Sequence, residues 1–209
     1  ELLRRAAEVG ADVAREGLEY SIDSRAIAVG GQLISITGLR GHYDEIFLPL
    51  HGKHQASNAA AALIAVEAFF GEQDLDIDAV RAGFANVTSP GRCEIIHRDP
   101  TIILDAAHNP HGAAAIAKTI SSEFDFEMVI AVVAVLADKD VAGILQELSK
   151  SVDYFIATQN GSNRAMSADE LAKIAASYFK PEQIEVITDL NGAITYALEK
   201  ATLSNQVSD

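Results

Sequence analysis

Asp105, His108 and His111 fall on one short stretch, Thr101-Ile-Ile-Leu-Asp-Ala-Ala-His-Asn-Pro-His-Gly112, and all three are types that bind or react. A carboxylate at the end of a strand can accept hydrogen bonds from ribose hydroxyls, and imidazoles can move protons. Arg92, in the turn Ser89-Pro90-Gly91-Arg92, can grip phosphate oxygens in a bidentate, charge-assisted way. Lys139, between Asp138 and Asp140, and Arg164, in Gly161-Ser-Asn-Arg, are further lone cations in loops. Asn58 stands polar in the Ala-rich run that follows His51-Gly-Lys-His-Gln55. Each has a bland alternative: loop ordering for Asp105, a surface histidine for His108, a solvated linker for Arg92, a solvent-facing helix start for Asn58.

The negative findings narrow the chemistry. Gly52-Lys53 looks like the tail of a phosphate loop, but His54 stands where Ser or Thr is required and the first glycine is missing. No Gly-x-Gly-x-x-Gly follows a strand, and no nucleophile elbow occurs. Asp105, His108 and His111 do not share a helical face, and neither H-E-x-x-H nor a cysteine pair supports a metal, so no metal ligands are assigned. The chain has 209 residues with 30 acidic and 16 basic side chains, a net charge of −14. That balance counts against a nucleic-acid partner, whose binding rests on Lys and Arg, but not against a single nucleotide. Hydrophobic residues at 49% and charged residues at 22% are globular proportions. One cysteine, Cys93, excludes an internal disulfide and fits a reducing compartment or indifference to redox; a cytoplasmic location is expected. No apolar run approaches the ~20 residues of a membrane span, so no membrane partner is expected.

The elements that must position these residues change character along the chain. A short helix ends near Gly10. Residues 17–22, 26–29, 33–37 and 45–50 read as short strands joined through Gly30-Gly31 and Gly38 to Gly41, which suggests antiparallel hairpins. Gln55 to Phe70 is a buried helix closed by Gly71, and Ile77 to Phe84 a shorter one with acidic capping candidates at its start. Asn86 to Arg92 is dense in turn formers and marks a boundary. Beyond it, strands (95–97, 102–104, 128–136, 154–158, 185–187) alternate with helices (112–121, 141–148, 168–179, 193–201). The pattern predicts an α/β fold with a mostly parallel sheet covered on both faces. A buried strand ends at Asp105, and a helix follows with Asn109 as N-cap and Pro110 at its first position. Ligands of open α/β sheets bind at such carboxyl ends.

In order and separation, HGKHQASNAAAAL, SPGR, ILDAAHNPHGAAA and VLADKDVAGIL resemble the folylpolyglutamate synthase/dihydrofolate synthase family of the Mur ligase superfamily. The resemblance implies an ATP-dependent ligase that joins L-glutamate to a folate or dihydropteroate carboxylate through an acyl phosphate, with magnesium, in a monomeric parent. It implies that Asn58 contacts adenine, Arg92 the ATP phosphates and Asp105 the ribose. His108 is placed beside the transferred phosphate and the incoming glutamate. It also implies two domains: residues 1–88 as the tail of the central ATPase domain and residues 89–209 as the Rossmann-like carboxy-terminal domain. Nucleotide would be held between them. The family's phosphate loop and magnesium ligands are expected upstream of Glu1, so the chain alone is expected to be inactive. The alternatives are a fragment of a Mur-type peptidoglycan ligase and a nucleotide-binding or interaction domain without chemistry.

Overall fold

The computed structural model describes residues 1–205, with side chains as far as Leu203. The chain divides into two compact units, Glu1–Ser89 and Pro90–Asp209.

The first unit opens with helix α1 (Leu2–Val9), which buries none of its residues. An antiparallel sheet of β1 (Ser21–Ala28), β2 (Gly31–Thr37) and β3 (His42–Leu48) follows, with β2 in the centre. Residues 17–22 and 26–29 are therefore not two strands: one strand runs through Ser24 and Arg25, absorbing the polar break in a register shift between Ile22 and Ser24. The alternation of β2 sends Gln32, Ile34 and Ile36 into the core, where Tyr43, Ile46 and Leu48 of β3 join them. Helix α2 (Lys53–Phe70) lays Ala56, Ala59, Ala60 and Leu63 on that surface. Its alanines bring the helix close, and each large aliphatic side chain buried there contributes ~1.5–3 kcal/mol. Helix α3 (Ile77–Ala85) is capped by Asp76, whose side chain accepts from the N–H groups of Asp78 and Ala79.

A buried carboxylate locks this unit. Glu67, 1% exposed on α2, accepts the N–H groups of Leu39 (2.6 Å), Arg40 (3.3 Å) and Gly41 (3.2 Å) and the Tyr43 hydroxyl (2.8 Å). It thus satisfies the β2–β3 turn from outside the sheet. Gly38 is required there, because a Cβ would stand 2.5 Å from Glu67 Oε2.

The second unit begins with a hairpin of β4 (Glu94–Arg98) and β5 (Thr101–Leu104). These two strands are antiparallel and hydrogen-bonded only to each other, so they do not open the strand–helix alternation. Nor is β5 buried: Ile102 and Ile103 are half-buried and Leu104 is 46% exposed. The alternation starts with α4 (Pro110–Glu123) and continues through β6 (Ile130–Val133), α5 (Val141–Leu148), β7 (Tyr154–Ala157), α6 (Ala168–Ala175), β8 (Ile184–Val186) and α7 (Leu190–Asn205). The three strands form a parallel sheet in the order β6-β7-β8. The apolar run 128–136 is longer than its strand because residues beyond Val133 turn away, Leu136 forming an antiparallel bridge to Ala165.

Phe155 and Ala157 meet Val141 and Leu145 of α5 and Leu171 of α6 in the core of this unit, with Phe155 stacked on Phe179 at 5.0 Å between ring centres. Tyr154, on the opposite face of β7 by its alternation, meets Tyr196 of α7. The sheet is therefore covered on both faces, and the fold is α/β with added antiparallel sheets.

Candidate functional site

Three loops at the carboxyl ends of strands line one cleft of about 180 Å³ in the second unit. The loop after β5 contributes Asp105, Ala106, Ala107 and His108. The segment after β6 contributes Ala134, Val135, Leu136 and Lys139. Asn160 comes from the loop after β7. Asp105, His108 and Lys139 were legible as candidates in the sequence. Asn160 was not, because nothing separates it from an ordinary loop asparagine.

Asp105 does the work of a loop-ordering carboxylate. Its Oδ1 accepts the Ala107 N–H at 2.8 Å and its Oδ2 the Cys93 N–H at 2.9 Å. Each oxygen retains a second lone pair, so the bland role and a ligand role are compatible. The Ala106 N–H donates to Gly91 O at 2.8 Å. Two bonds, on either side of Arg92, therefore tie the Pro-Gly-Arg turn to the start of the Asp105 loop. Arg92 itself is exposed and makes no hydrogen bond or ion pair with another described residue.

His108 is exposed, and its Nδ1 lies 3.1 Å from Ala106 O. A carbonyl oxygen only accepts, so Nδ1 carries a proton, and in the neutral ring Nε2 is the nitrogen with the lone pair. Asn109 caps α4 by accepting the Gly112 N–H at 2.8 Å, with Pro110 at the first helical position. Asp140 caps α5 through the Gly143 N–H. The first turns of α4 and α5 meet directly: a Cβ on Gly143 would stand 2.6 Å from Pro110 Cγ. Both helices thus begin beside residues that line the cleft, where their positive ends favour an anion.

Lys139 and Arg164 both face Asp138, at 3.7 and 3.5 Å. Arg164 lies outside the set that lines the cleft, and its loop is fastened by the Ala137 N–H to Arg164 O at 2.9 Å and the Met166 N–H to Val135 O at 3.0 Å. Cys93 is buried and free. Burial first, and then the Asp105 carboxylate, push its thiol up to about 12, so it stays protonated at neutral pH.

Asn58 belongs to the other unit. It is exposed on the second turn of α2, and its Nδ2 donates to Gln55 Oε1 at 3.2 Å. Gln55 is buried. Gln32, fully buried on β2, donates from Nε2 to Leu50 O at 2.7 Å and Gly52 O at 3.2 Å and receives Arg25 Nε on its oxygen. The Gln55 N–H also donates to Gly52 O at 3.0 Å. Sequence reasoning passed over Gln32; the signal was its place on the buried parity of β2 with Ile34 and Ile36.

Among the described residues no group of three or more His, Cys, Asp or Glu side chains could hold a metal ion. His111 is exposed on α4 and forms no such group with Asp105 and His108. The described residues thus offer no all-protein cage for an ion; magnesium is usually held by one or two carboxylates together with waters and substrate phosphates, and no ligand for it is assigned. No described helix is long and apolar enough to cross a membrane.

Residues 91–207 match the family described as Mur ligase, glutamate ligase domain. Dihydrofolate synthase/folylpolyglutamate synthase of Mycobacterium tuberculosis is 50% identical over 199 residues, covering 94% of this chain and 41% of that protein. The structure of Mycobacterium tuberculosis folylpolyglutamate synthase complexed with ADP matches with a TM-score of 0.94 and 48% identity, over 100% of this chain and 46% of that one. E. coli FolC in complex with DHPP and ADP matches with a TM-score of 0.80 and 27% identity, over 95% and 44% respectively. The chain thus spans less than half the length of these relatives. The family match over residues 91–207 and the α/β fold agree: the chain belongs to the Mur ligase glutamate ligase domain family.

Proposed function

We propose that this chain is the carboxy-terminal part of an ATP-dependent ligase that adds L-glutamate to folate or dihydropteroate. Residues 1–88 would be the tail of a central ATPase domain and residues 89–209 the carboxy-terminal domain. The observation that carries the reading is the fastening of the Arg92 turn to Asp105 beside a cleft where two helices begin. It ties the turn that carries Arg92, a cation with no partner among the described residues, to the loop of a carboxylate with unused lone pairs, which suits the phosphates and ribose of one nucleotide.

In this reading ATP transfers its terminal phosphoryl group to the substrate carboxylate, giving an acyl phosphate and ADP. The glutamate amine attacks the acyl carbon, an amide bond forms, and inorganic phosphate leaves. Arg92 holds phosphate oxygens while charge moves onto them. Asp105 accepts the ribose hydroxyls, and Asn58 meets the adenine. The Nε2 lone pair of His108 accepts a hydrogen bond from the incoming amine and holds it for attack.

The test is incorporation of labelled glutamate into dihydropteroate and tetrahydrofolate by the intact ligase, with ATP and magnesium. Incorporation should depend on Arg92 and fail with a peptidoglycan peptide as acceptor. The 209-residue chain alone should incorporate none, since it has no phosphate-loop motif. Glutamate addition by the isolated chain, or a preference for the peptidoglycan precursor, would refute the reading.

A further inference from the structure

The start of α2 carries two buried glutamines, Gln32 beneath it and Gln55 in its first turn. Gln32 grips the Leu50 and Gly52 carbonyls, and the Gln55 N–H returns to Gly52 O, so the first helical turn is fixed from below. Gln55 in turn accepts from Asn58 Nδ2 at 3.2 Å. Gln55 is 6% exposed and Gln32 is 0% exposed, whereas Asn58 is exposed. The buried side chain has fewer orientations open to it than the exposed one, and its oxygen receives one N–H of Asn58.

An asparagine amide has two N–H donors and one oxygen with two lone pairs. An unrestrained amide can turn over and exchange them. With one N–H committed to Gln55, the Asn58 amide is held in one sense, presenting its oxygen and its remaining N–H. That pair complements the amino edge of adenine, where an N–H donor adjoins a ring-nitrogen acceptor. The Hoogsteen edge of guanine offers two acceptors instead, and the Asn58 oxygen would face another oxygen.

We propose that Gln55 is a positioning residue that fixes the Asn58 amide and thereby sets the preference for adenine over guanine nucleotides. The inference rests on the reading that Asn58 meets the base. Gln55 touches no substrate; it acts through Asn58.

The experiment measures kcat and KM of the intact ligase with ATP and with GTP, for wild type, Gln55→Met, Gln55→Glu and Asn58→Ala. Gln55→Met keeps the length of the side chain and removes the acceptor. It should reduce the ATP:GTP ratio of kcat/KM by roughly tenfold to a hundredfold, through KM and with kcat little changed. Gln55→Glu keeps an acceptor oxygen and should retain the wild-type ratio. Should Gln55→Met fail to fold, as thermal melting would show, loss of the ratio in a folded Gln55→Glu variant would still overturn the proposal. A folded Gln55→Met variant with the ratio unchanged, while Asn58→Ala raises the KM for ATP, overturns it and leaves the nucleotide reading standing. An unchanged KM for ATP in Asn58→Ala removes the nucleotide reading itself.

Discussion

The backbone N–H of Cys93 donates to Oδ2 of Asp105 at 2.9 Å, joining the arginine-bearing turn to the strand end where a ribose is proposed to sit. Cys93 stands in the left-handed region at φ 47°, a conformation that costs a non-glycine residue of order 1 kcal/mol. The Asp105 bond helps to hold it there.

Asp105→Ala should therefore do two things at once. It removes two carboxylate-to-backbone bonds, costing the second unit about 2 kcal/mol, and it should raise the KM for ATP with kcat less affected. Asp105→Asn retains an acceptor and should lose less of both. Thermal melting alongside steady-state kinetics separates the effects. An unchanged KM for ATP in a destabilised Asp105→Ala enzyme would leave only the loop-ordering role.

Arg92→Ala should behave oppositely. The guanidinium has no bond to lose within the described chain, so the melting temperature should hold. The kcat of the intact ligase should fall by roughly 10²–10³, the loss expected for one donor to a developing oxyanion. Full kcat in this variant would return Arg92 to a solvated linker.

His108→Ala should raise the KM for glutamate more than that for ATP. The Nδ1 bond to Ala106 O fixes the ring so that only Nε2 is left to accept. Saturation curves for both substrates test this, and an equal effect on both would place the imidazole elsewhere in the sequence of events.

Glu67→Ala should unfold the first unit early. Four donors, three of them backbone N–H groups, lose their acceptor together, at a cost of about 1 kcal/mol or more each. Tyr43→Phe removes one of the four and should cost about 1 kcal/mol. Urea unfolding of both variants checks the order; equal midpoints would show that the turn does not depend on the carboxylate.

Cys93 makes stability fall in alkali. Its thiol is pushed up to about 12 in the folded chain, against ~8.5 unfolded, so between those values the native state binds more protons. Stability from this group is complete below pH ~8.5 and is lost as pH rises toward 12. Tyr43 and Tyr154 are shifted upward too, so the measurement is the difference between wild type and Cys93→Ala. The variant should show the shallower alkaline decline in urea midpoint; parallel declines would contradict the shift.

Much of this is legible in the amino-acid sequence. Asn109, Pro110, Asp140 and Asp76 announce helix starts, and each of the three acidic or amide caps makes its bond. The hairpins through Gly30-Gly31 and Gly38 to Gly41 were legible from turn chemistry. Strand partners were not. An apolar run such as 101–104 reads alike whether it joins a parallel sheet or folds back on its neighbour, because hydrophobicity records burial and not pairing. Glu67 was missed because a lone glutamate on an alanine-rich helix looks solvent-facing. Only its spacing of four from Leu63, on the buried stripe, hinted otherwise. Asp105 shows a different limit: residue type announced an acceptor, but which donors it would meet depended on a turn twelve residues upstream.

The meeting of α4 and α5 at Pro110 and Gly143 has a mechanical consequence. With only the Pro110 ring between them, the two first turns bear on each other like a hinge plate, and the Asp105–Asn109 turn and the Asp138–Asp140 turn lie at its edge. Even a methyl group at Gly143 would act as a shim, parting the helices and tilting His108 away from Lys139.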